Sequence, residues 1–291
     1  MRWPDDAEGW PHISASRIVA SAPHRWHVQE IGEGPVLLLL HGAGASTHSW
    51  RDLAPLLARS YRVVMIDLPG QGFTRSGARH RRGLDKTAQD IARLIDGEGW
   101  KIHALIGHSA GAAVALRLAE DPPCFGVPVI GLNAALARFQ GVAGWLFPMM
   151  AKALALAPFT AEIFVHTSSS AANVRRLIDG TGSRLTEEGL EFYRRLASDR
   201  DHVDGTLAMM ARWSVDDLME RLPRHPSRVL LFAGGQDKAV PPAVSTRAVN
   251  LLPHGDLHLL PELGHLAHEE DPETCATEIL AYLRQRSFGQ H

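Results

Sequence analysis

The stretch Ile102-His103-Ala104-Leu105-Ile106-Gly107-His108-Ser109-Ala110-Gly111 decides how this chain reads. Its first five residues have the composition of a buried strand, and residues 110–119, rich in Ala and Leu, have that of a helix. Between them stands Gly-x-Ser-x-Gly. Strand, pentapeptide and helix together describe a nucleophile elbow, a turn so tight that its serine is held in a strained conformation with the hydroxyl beyond the end of the sheet. Gly107 and Gly111 fit this reading because strand and helix pass too close there to leave room for side chains. The pentapeptide alone recurs by chance in many chains. The strand-to-helix setting makes Ser109 a candidate nucleophile.

A nucleophilic serine needs a base, and the base needs an acid to orient it. Residues 228–233 form a short apolar strand followed by Gly234-Gly235-Gln236-Asp237. Leu257-His258-Leu259-Leu260 is another, followed by Pro261-Glu262-Leu263-Gly264-His265. Asp237 and His265 thus stand in loops at strand ends, in the chain order serine, acid, histidine. The expected roles are proton acceptor for His265 and orienting carboxylate for Asp237. Upstream, the apolar run 36–40 leads into His41-Gly42-Ala43-Gly44-Ala45-Ser46, whose small residues let the backbone turn sharply and aim N–H groups at the nucleophile. The oxyanion hole is therefore assigned to the backbone N–H of Ala43 and of Ala110.

Other groups compete for these roles, because the chain has 16 histidines. His268 falls where the last helix begins, and His108 lies inside the elbow, where it packs beside the serine. Asn133 ends the strand 129–132, but an amide cannot balance an imidazolium. His254, His258, His265 and His268 are close in sequence yet lack a zinc-site spacing such as His-Glu-x-x-His. No metal and no cofactor are expected.

The 291 residues carry 45% hydrophobic and 21% charged side chains, as a globular protein does. A net charge of −2 speaks against nucleic-acid binding, and Arg79-His80-Arg81-Arg82 reads as a solvated loop. Two isolated cysteines, Cys124 and Cys275, give neither a disulfide framework nor a Cys-x-x-Cys motif, which fits a cytoplasmic location. The first residues show no signal-peptide pattern. No apolar run is long enough to span a bilayer; residues 139–151 come nearest and stop at Lys152.

Strands are expected at about 25–31, 35–40, 61–66, 102–106, 127–132, 228–233 and 256–260, and helices at about 49–58, 84–97, 110–120, 240–251 and 271–286. The alternation predicts an α/β fold, a mainly parallel sheet flanked by helices. The rhythm breaks between about 134 and 222, which reads as a helical cap on a core made of 1–133 and 223–291. The cap begins with the apolar stretch 141–150. Its Trp145, Phe147, Met149 and Met150 are expected to form an adaptable wall for a large hydrophobic ligand. A second strip, Leu207-Ala208-Met209-Met210 before Trp213, is expected to face the same cavity.

With these residues in hand, the chain resembles the α/β-hydrolase superfamily over nearly its whole length. More narrowly, it resembles the magnesium chelatase accessory proteins of bacteriochlorophyll biosynthesis in photosynthetic bacteria. The matching stretches are Arg25-Trp26-His27-Val28-Gln29, the glycine-rich loop from His41 through Trp50, the elbow from Gly107 through Ala113, Gly131-Leu132-Asn133-Ala134-Ala135-Leu136, Gly180-Thr181-Gly182-Ser183-Arg184-Leu185 and the run from Leu263 through Glu270. The stretch at 180–185 is the most telling, since general hydrolases share the others in part. The resemblance implies a place in the making of a magnesium porphyrin, with magnesium chelatase subunits as partners. It does not supply a reaction, because magnesium insertion is not a hydrolysis.

Two classes of function follow. One is a serine hydrolase that cleaves an ester or similar acyl bond of a hydrophobic substrate, favoured by the complete set of catalytic groups. The other is a tetrapyrrole carrier or chelatase partner, which needs cations for the ring propionates; Arg175, Arg176 and above all Arg184 are candidates. A cofactor-free haloperoxidase or carbon–carbon bond hydrolase is a third use of the same scaffold.

Overall fold

The computed structural model describes residues 1–137 and 170–287. Among them the centre is a nine-stranded sheet in the order β1-β2-β4-β3-β6-β7-β8-β9, with the short β5 paired to β2. The strands are β1 (Ser16–Ser21), β2 (His24–Ile31), β3 (Val36–Leu40), β4 (Arg62–Ile66), β5 (Arg75–Ser76), β6 (Ile102–His108), β7 (Val129–Leu132), β8 (Val229–Gly234) and β9 (Gly255–Leu260). β2 runs antiparallel to β1 and β4, whereas every neighbouring pair from β4 across to β9 is parallel. The helices outside the long connection between β7 and β8 start with α1 (Leu53–Leu57), α2 (Leu84–Glu98) and α3 (Ala110–Leu118). Within that connection the described helices are α4 (Ala171–Gly180), α5 (Glu187–Ala197), α6 (Arg200–Met210) and α7 (Asp216–Arg221). The chain ends with α8 (Pro242–Leu251), α9 (Ala267–Glu270) and α10 (Pro272–Ser287).

β3 shows why uninterrupted apolar runs become the central strands. All five of its residues are buried. Leu38 and Leu40 pack into one core with α2, α3 and α8, while Leu37 and Leu39 pack into a second with α1 and α10. A strand covered on both faces has no position for a polar side chain. Each buried leucine is worth about 1.5–3 kcal/mol, so β3 outweighs the roughly 1–3 kcal/mol of backbone strain stored at the end of its neighbour β6.

All seven expected strands are present. β1 and β5 carry no such signal in the sequence: β1, at the sheet edge, has only half-buried and exposed positions, and β5 has only two residues. The helix expected at 49–58 contracts to α1, because residues 47–50 form a tight 3₁₀ turn whose Thr47 N–H donates to the Asp67 carboxylate (2.7 Å). The basic stretch at 79–82 is a solvated loop only in its first half, since Arg79 and His80 are exposed while Arg81 is half-buried and Arg82 buried. Arg79 and Arg82 pair with Asp204 on α6, and Arg81 pairs with the buried Asp90 on α2. Carboxylates on two elements draw the guanidinium groups of Arg81 and Arg82 inward, and the pairs with Asp204 fasten α6 to this stretch.

Candidate active site

Ser109 joins β6 to α3 with φ 51° and ψ −114°, a backbone conformation that a side-chain-bearing residue rarely holds. The surroundings over-determine it. The Ser109 N–H donates to the Leu132 carbonyl (2.9 Å), and the Ser109 carbonyl accepts from Ala112 (3.2 Å) and Ala135 (3.1 Å). The glycines on either side are obligatory: a Cβ on Gly111 would lie 2.0 Å from the Leu40 carbonyl oxygen, and one on Gly107 2.4 Å from that of Gly111. The close crossing of β6, α3 and β3 therefore pushes Ser109 up and out at the carboxyl end of the sheet.

Two further strand ends deliver the groups that meet it. The loop after β9 brings His265 Nε2 to 3.0 Å from Ser109 Oγ, and the loop after β8 brings Asp237 Oδ2 to 2.7 Å from His265 Nδ1. Ser109 Oγ–H therefore donates to Nε2 while Nδ1–H donates to the carboxylate. Asp237 is itself fixed, since its Oδ1 accepts from the N–H of Ala239 (2.8 Å) and Val240 (2.7 Å). Asn133, at φ 49°, donates its amide to Asp237 Oδ2 (2.8 Å) and to the Gly264 carbonyl (3.2 Å). Its position at the end of β7 was legible in the sequence, but this donor role was not, because it depends on two loops more than a hundred residues downstream. His108 Nε2–H donates to the carbonyl of His265 (2.9 Å), so the ring beside the serine holds the backbone of the histidine opposite.

The glycine-rich loop after β3 lies against this group. A Cβ on Gly42 would meet His108 Nδ1 at 2.7 Å and Ser109 Cβ at 3.1 Å. The Gly42 carbonyl accepts from His41 Nδ1–H (2.8 Å) and from Ala45 N–H (3.1 Å). His41 is held in that tautomer because its Nε2 accepts from Leu68 N–H (2.9 Å). A trans peptide points its N–H opposite to its C=O, so pinning the Gly42 carbonyl turns the Ala43 N–H the other way. Among the described residues neither the Ala43 nor the Ala110 N–H has a protein acceptor.

Asp67, a rival acid by residue type, is buried on other work. It accepts from His27 Nδ1–H (2.8 Å), Thr47 N–H (2.7 Å) and Phe73 N–H (2.8 Å). Burial alone would raise its pKa, but His27 and these donors hold it at about 2. His258 sits half-exposed, 3.5 Å from Glu278, and His268 is buried against Trp50 and His108, so the histidines at 258, 265 and 268 do not converge. Tyr193 O–H on α5 donates to Glu269 (2.6 Å), which also accepts from Arg51 (2.6 Å), and burial raises the Glu269 pKa.

Trp145, Phe147, Met149 and Met150 lie outside the described residues. Arg184 is exposed in the turn before α5, its backbone N–H bonded to Glu270 (3.2 Å). Arg175 pairs with Glu187, and Arg176 donates to Asn173 (3.0 Å). Met209, expected to face a cavity, instead packs into the core, where its sulfur accepts from Gln71 Nε2–H (3.1 Å). The helical period of α6 turns Met209 toward the sheet.

Several buried histidines nearby are held neutral. Burial is the main cause for each: it lowers the pKa of His41, takes His48 and His108 well below the usual value, brings His202 to about 4 and, with the Arg51 cation adding, His268 to about 3. In the unfolded chain these rings titrate near 6.5. Below that pH the unfolded state binds more protons than the folded one, so stability falls as pH falls, until the folded rings protonate in turn, His202 near pH 4 and His268 near pH 3. Each ring contributes up to roughly 1.4 kcal/mol per pH unit. The urea midpoint is expected to drop steadily from about pH 7 to about pH 5. His268→Phe, which keeps the ring contact with Trp50 (centroids 4.6 Å apart), should make the fall shallower. A midpoint that stays level over this range would show that these rings carry charge in the native state.

A sequence profile for the alpha/beta hydrolase fold matches residues 35–272. The chain is 45% identical to the magnesium-chelatase 30 kDa subunit of Rhodobacter capsulatus, covering 94% of this chain and 96% of that one. It is 28% identical to the 2-hydroxy-6-oxo-6-phenylhexa-2,4-dienoate hydrolase of Burkholderia cepacia, covering 89% of this chain and 91% of that one. An esterase of Exiguobacterium antarcticum shares the fold with a TM-score of 0.76 at 17% identity, over 92% of this chain and 98% of that one. The chain therefore belongs to the α/β-hydrolase superfamily and, within it, to the family of the magnesium-chelatase 30 kDa subunit.

Proposed function

We propose that the protein is a serine hydrolase that cleaves an ester or similar acyl bond of a hydrophobic substrate in the making of a magnesium porphyrin. The observation that carries this reading is the hydrogen-bonded chain from Asp237 through His265 (2.7 Å) to Ser109 (3.0 Å), with the serine held at a positive φ. His265 Nε2 takes the Ser109 proton as Oγ attacks the acyl carbon. The charge on the carbonyl oxygen is met by the N–H groups of Ala43 and Ala110. Collapse breaks the acyl bond, and the leaving group departs with the proton from His265. Water, deprotonated by the same nitrogen, then releases the acid and frees Ser109, while Asp237 stabilises the imidazolium at each stage.

In this reading residues 134–222 form a helical cap over the core of 1–133 and 223–291. Arg184 meets a substrate carboxylate at the rim. The setting is the cytoplasm, alongside magnesium chelatase subunits; among the described residues no helix is long and apolar enough to cross a membrane. The 45% identity to a protein named for magnesium chelatase favours a second reading, a tetrapyrrole carrier or chelatase partner that retains the triad.

Two measurements separate these readings. Incubation with an alkyl fluorophosphonate should add one phosphonyl group per chain, at Ser109, by intact-protein mass spectrometry. A folded protein that stays unmodified overturns the hydrolase reading. Protoporphyrin and its magnesium complex, titrated against tryptophan fluorescence, then test the carrier: saturable quenching without phosphonylation supports it, and no quenching removes it.

A further inference from the structure

We infer that His202, on helix α6, is a positioning residue for the oxyanion loop, binding the Gly44 carbonyl so that the Ala43 N–H stays aimed at the site above Ser109. This inference rests on the hydrolase reading for its catalytic meaning and on independent geometry for the contact itself.

The loop needs such a hold. Gly44 has φ 80°, and without a Cβ its two flanking peptide planes rotate at little cost. The peptide that carries the Gly44 carbonyl also carries the Ala45 N–H, which binds the Gly42 carbonyl (3.1 Å), and that carbonyl shares its plane with the Ala43 N–H. An oxyanion hole stabilises charge only when its donors are fixed before the reaction, and a displacement of about 1 Å in such a site can cost a hundredfold in rate. Both polar groups of Gly44 are in fact taken. Its N–H donates to Gln71 Oε1 (2.7 Å), and its carbonyl accepts from His202 Nε2–H (3.2 Å).

Both partners are tied to α6. His202 Nδ1 accepts from Gly72 N–H (3.0 Å), which leaves the proton on Nε2 and fixes the tautomer that Gly44 requires. Gln71 spends its other end on Met209 of the same helix (3.1 Å). The helix sits hard against the loop that carries Gln71 and Gly72, since a Cβ on Gly205 would lie 1.8 Å from the Gly70 carbonyl oxygen. Asp199 caps the helix by accepting from His202 N–H (2.7 Å) and is itself paired with the amino terminus (2.7 Å). Burial keeps the His202 ring neutral at ordinary pH, so one nitrogen accepts while the other donates. Helix α6 belongs to the connection between β7 and β8, so its seating and the shape of the oxyanion loop are one mechanical unit.

The two ring nitrogens can be separated by substitution. In His202→Asn the amide lies near the place of Nδ1 and keeps Gly72 but loses Gly44. In His202→Gln it reaches the place of Nε2 and keeps Gly44. With a p-nitrophenyl ester, His202→Asn is expected to lower kcat by about tenfold to a hundredfold with KM within about twofold, and His202→Gln to recover most of that loss. Gln71→Met, which removes the acceptor for Gly44 N–H, should lower kcat similarly with an unchanged far-ultraviolet spectrum. Equal losses in the Asn and Gln variants, or no loss in His202→Asn, overturn the inference. If wild-type protein reacts with neither ester nor fluorophosphonate, the hydrolase reading falls by itself. Amide exchange then decides the contact: Gly44 and Ala45 must exchange faster in His202→Asn than in His202→Gln, and equal rates overturn it.

Discussion

Ser109→Ala is expected to abolish fluorophosphonate labelling and to lower the turnover of any acyl substrate by about a millionfold, the scale on which losing the nucleophile of a serine hydrolase acts. The fold should tolerate the change. Alanine keeps the Cβ that already occupies the positive-φ position, and the three backbone hydrogen bonds that hold the turn involve no side-chain atom. What disappears is the oxygen 3.0 Å from His265 Nε2. Residual catalysis would then come only from the oxyanion donors and binding. Steady-state assays with an aryl ester, together with a thermal melt to verify folding, check this. Activity within tenfold of the wild type would remove Ser109 from the chemistry.

Asp237→Asn should cost about ten-thousandfold in kcat while leaving the structure standing. The reason lies in the donors around the carboxylate. Oδ1 accepts from two backbone N–H groups, so an asparagine there turns its oxygen to them and its NH₂ toward His265. His265 Nδ1 must then accept, which places the ring proton on Nε2, where it can no longer receive the proton of Ser109. Asn133 also donates to this position, and two facing NH₂ groups would repel each other. Among the described residues the Asn133 Oδ1 has no hydrogen-bond partner, however, so an amide flip relieves the clash at the cost of the bond to Gly264. The variant is expected to melt within a few degrees of the wild type. Full activity in a folded Asp237→Asn protein would assign the acid elsewhere.

The parts that were legible in the sequence are those dictated by the backbone. The apolar runs of β3 and β8 are continuous because both faces of each strand are covered, and the glycines at 107 and 111 mark a crossing that no other residue fits. Ser109 could be found because it follows β6 at once, and Asp237 and His265 because each stands in the loop after a later strand, β8 and β9, in the chain order serine, acid, histidine. The positioning groups could not. Asn133, His108 and His202 act through hydrogen bonds across 104, 157 and 158 positions of chain, and nothing local to them announces a partner. The same holds for the arginines at 79–82. A cluster of cations reads as solvated until the carboxylates of two helices are brought to it. Met209 shows the converse error, since an apolar strip on a helix does not reveal whether it looks into a cavity or into the core.

The joints that close the site are also its longest loops in chain terms. Ser109 and His265 are 156 positions apart, and Arg51 and Glu269, beside that histidine, are 218 apart. Contacts of such separation form late in folding, because the entropy of closing the intervening chain must be met before they return any stabilisation. A collapsed chain with its strands formed but β9 undocked has the serine without its base. Intermediates on the folding path are thus chemically silent at Ser109. A serine-directed reagent used on a refolding mixture titrates only molecules in which β6 and β9, three strands apart in the parallel array, have both found their places.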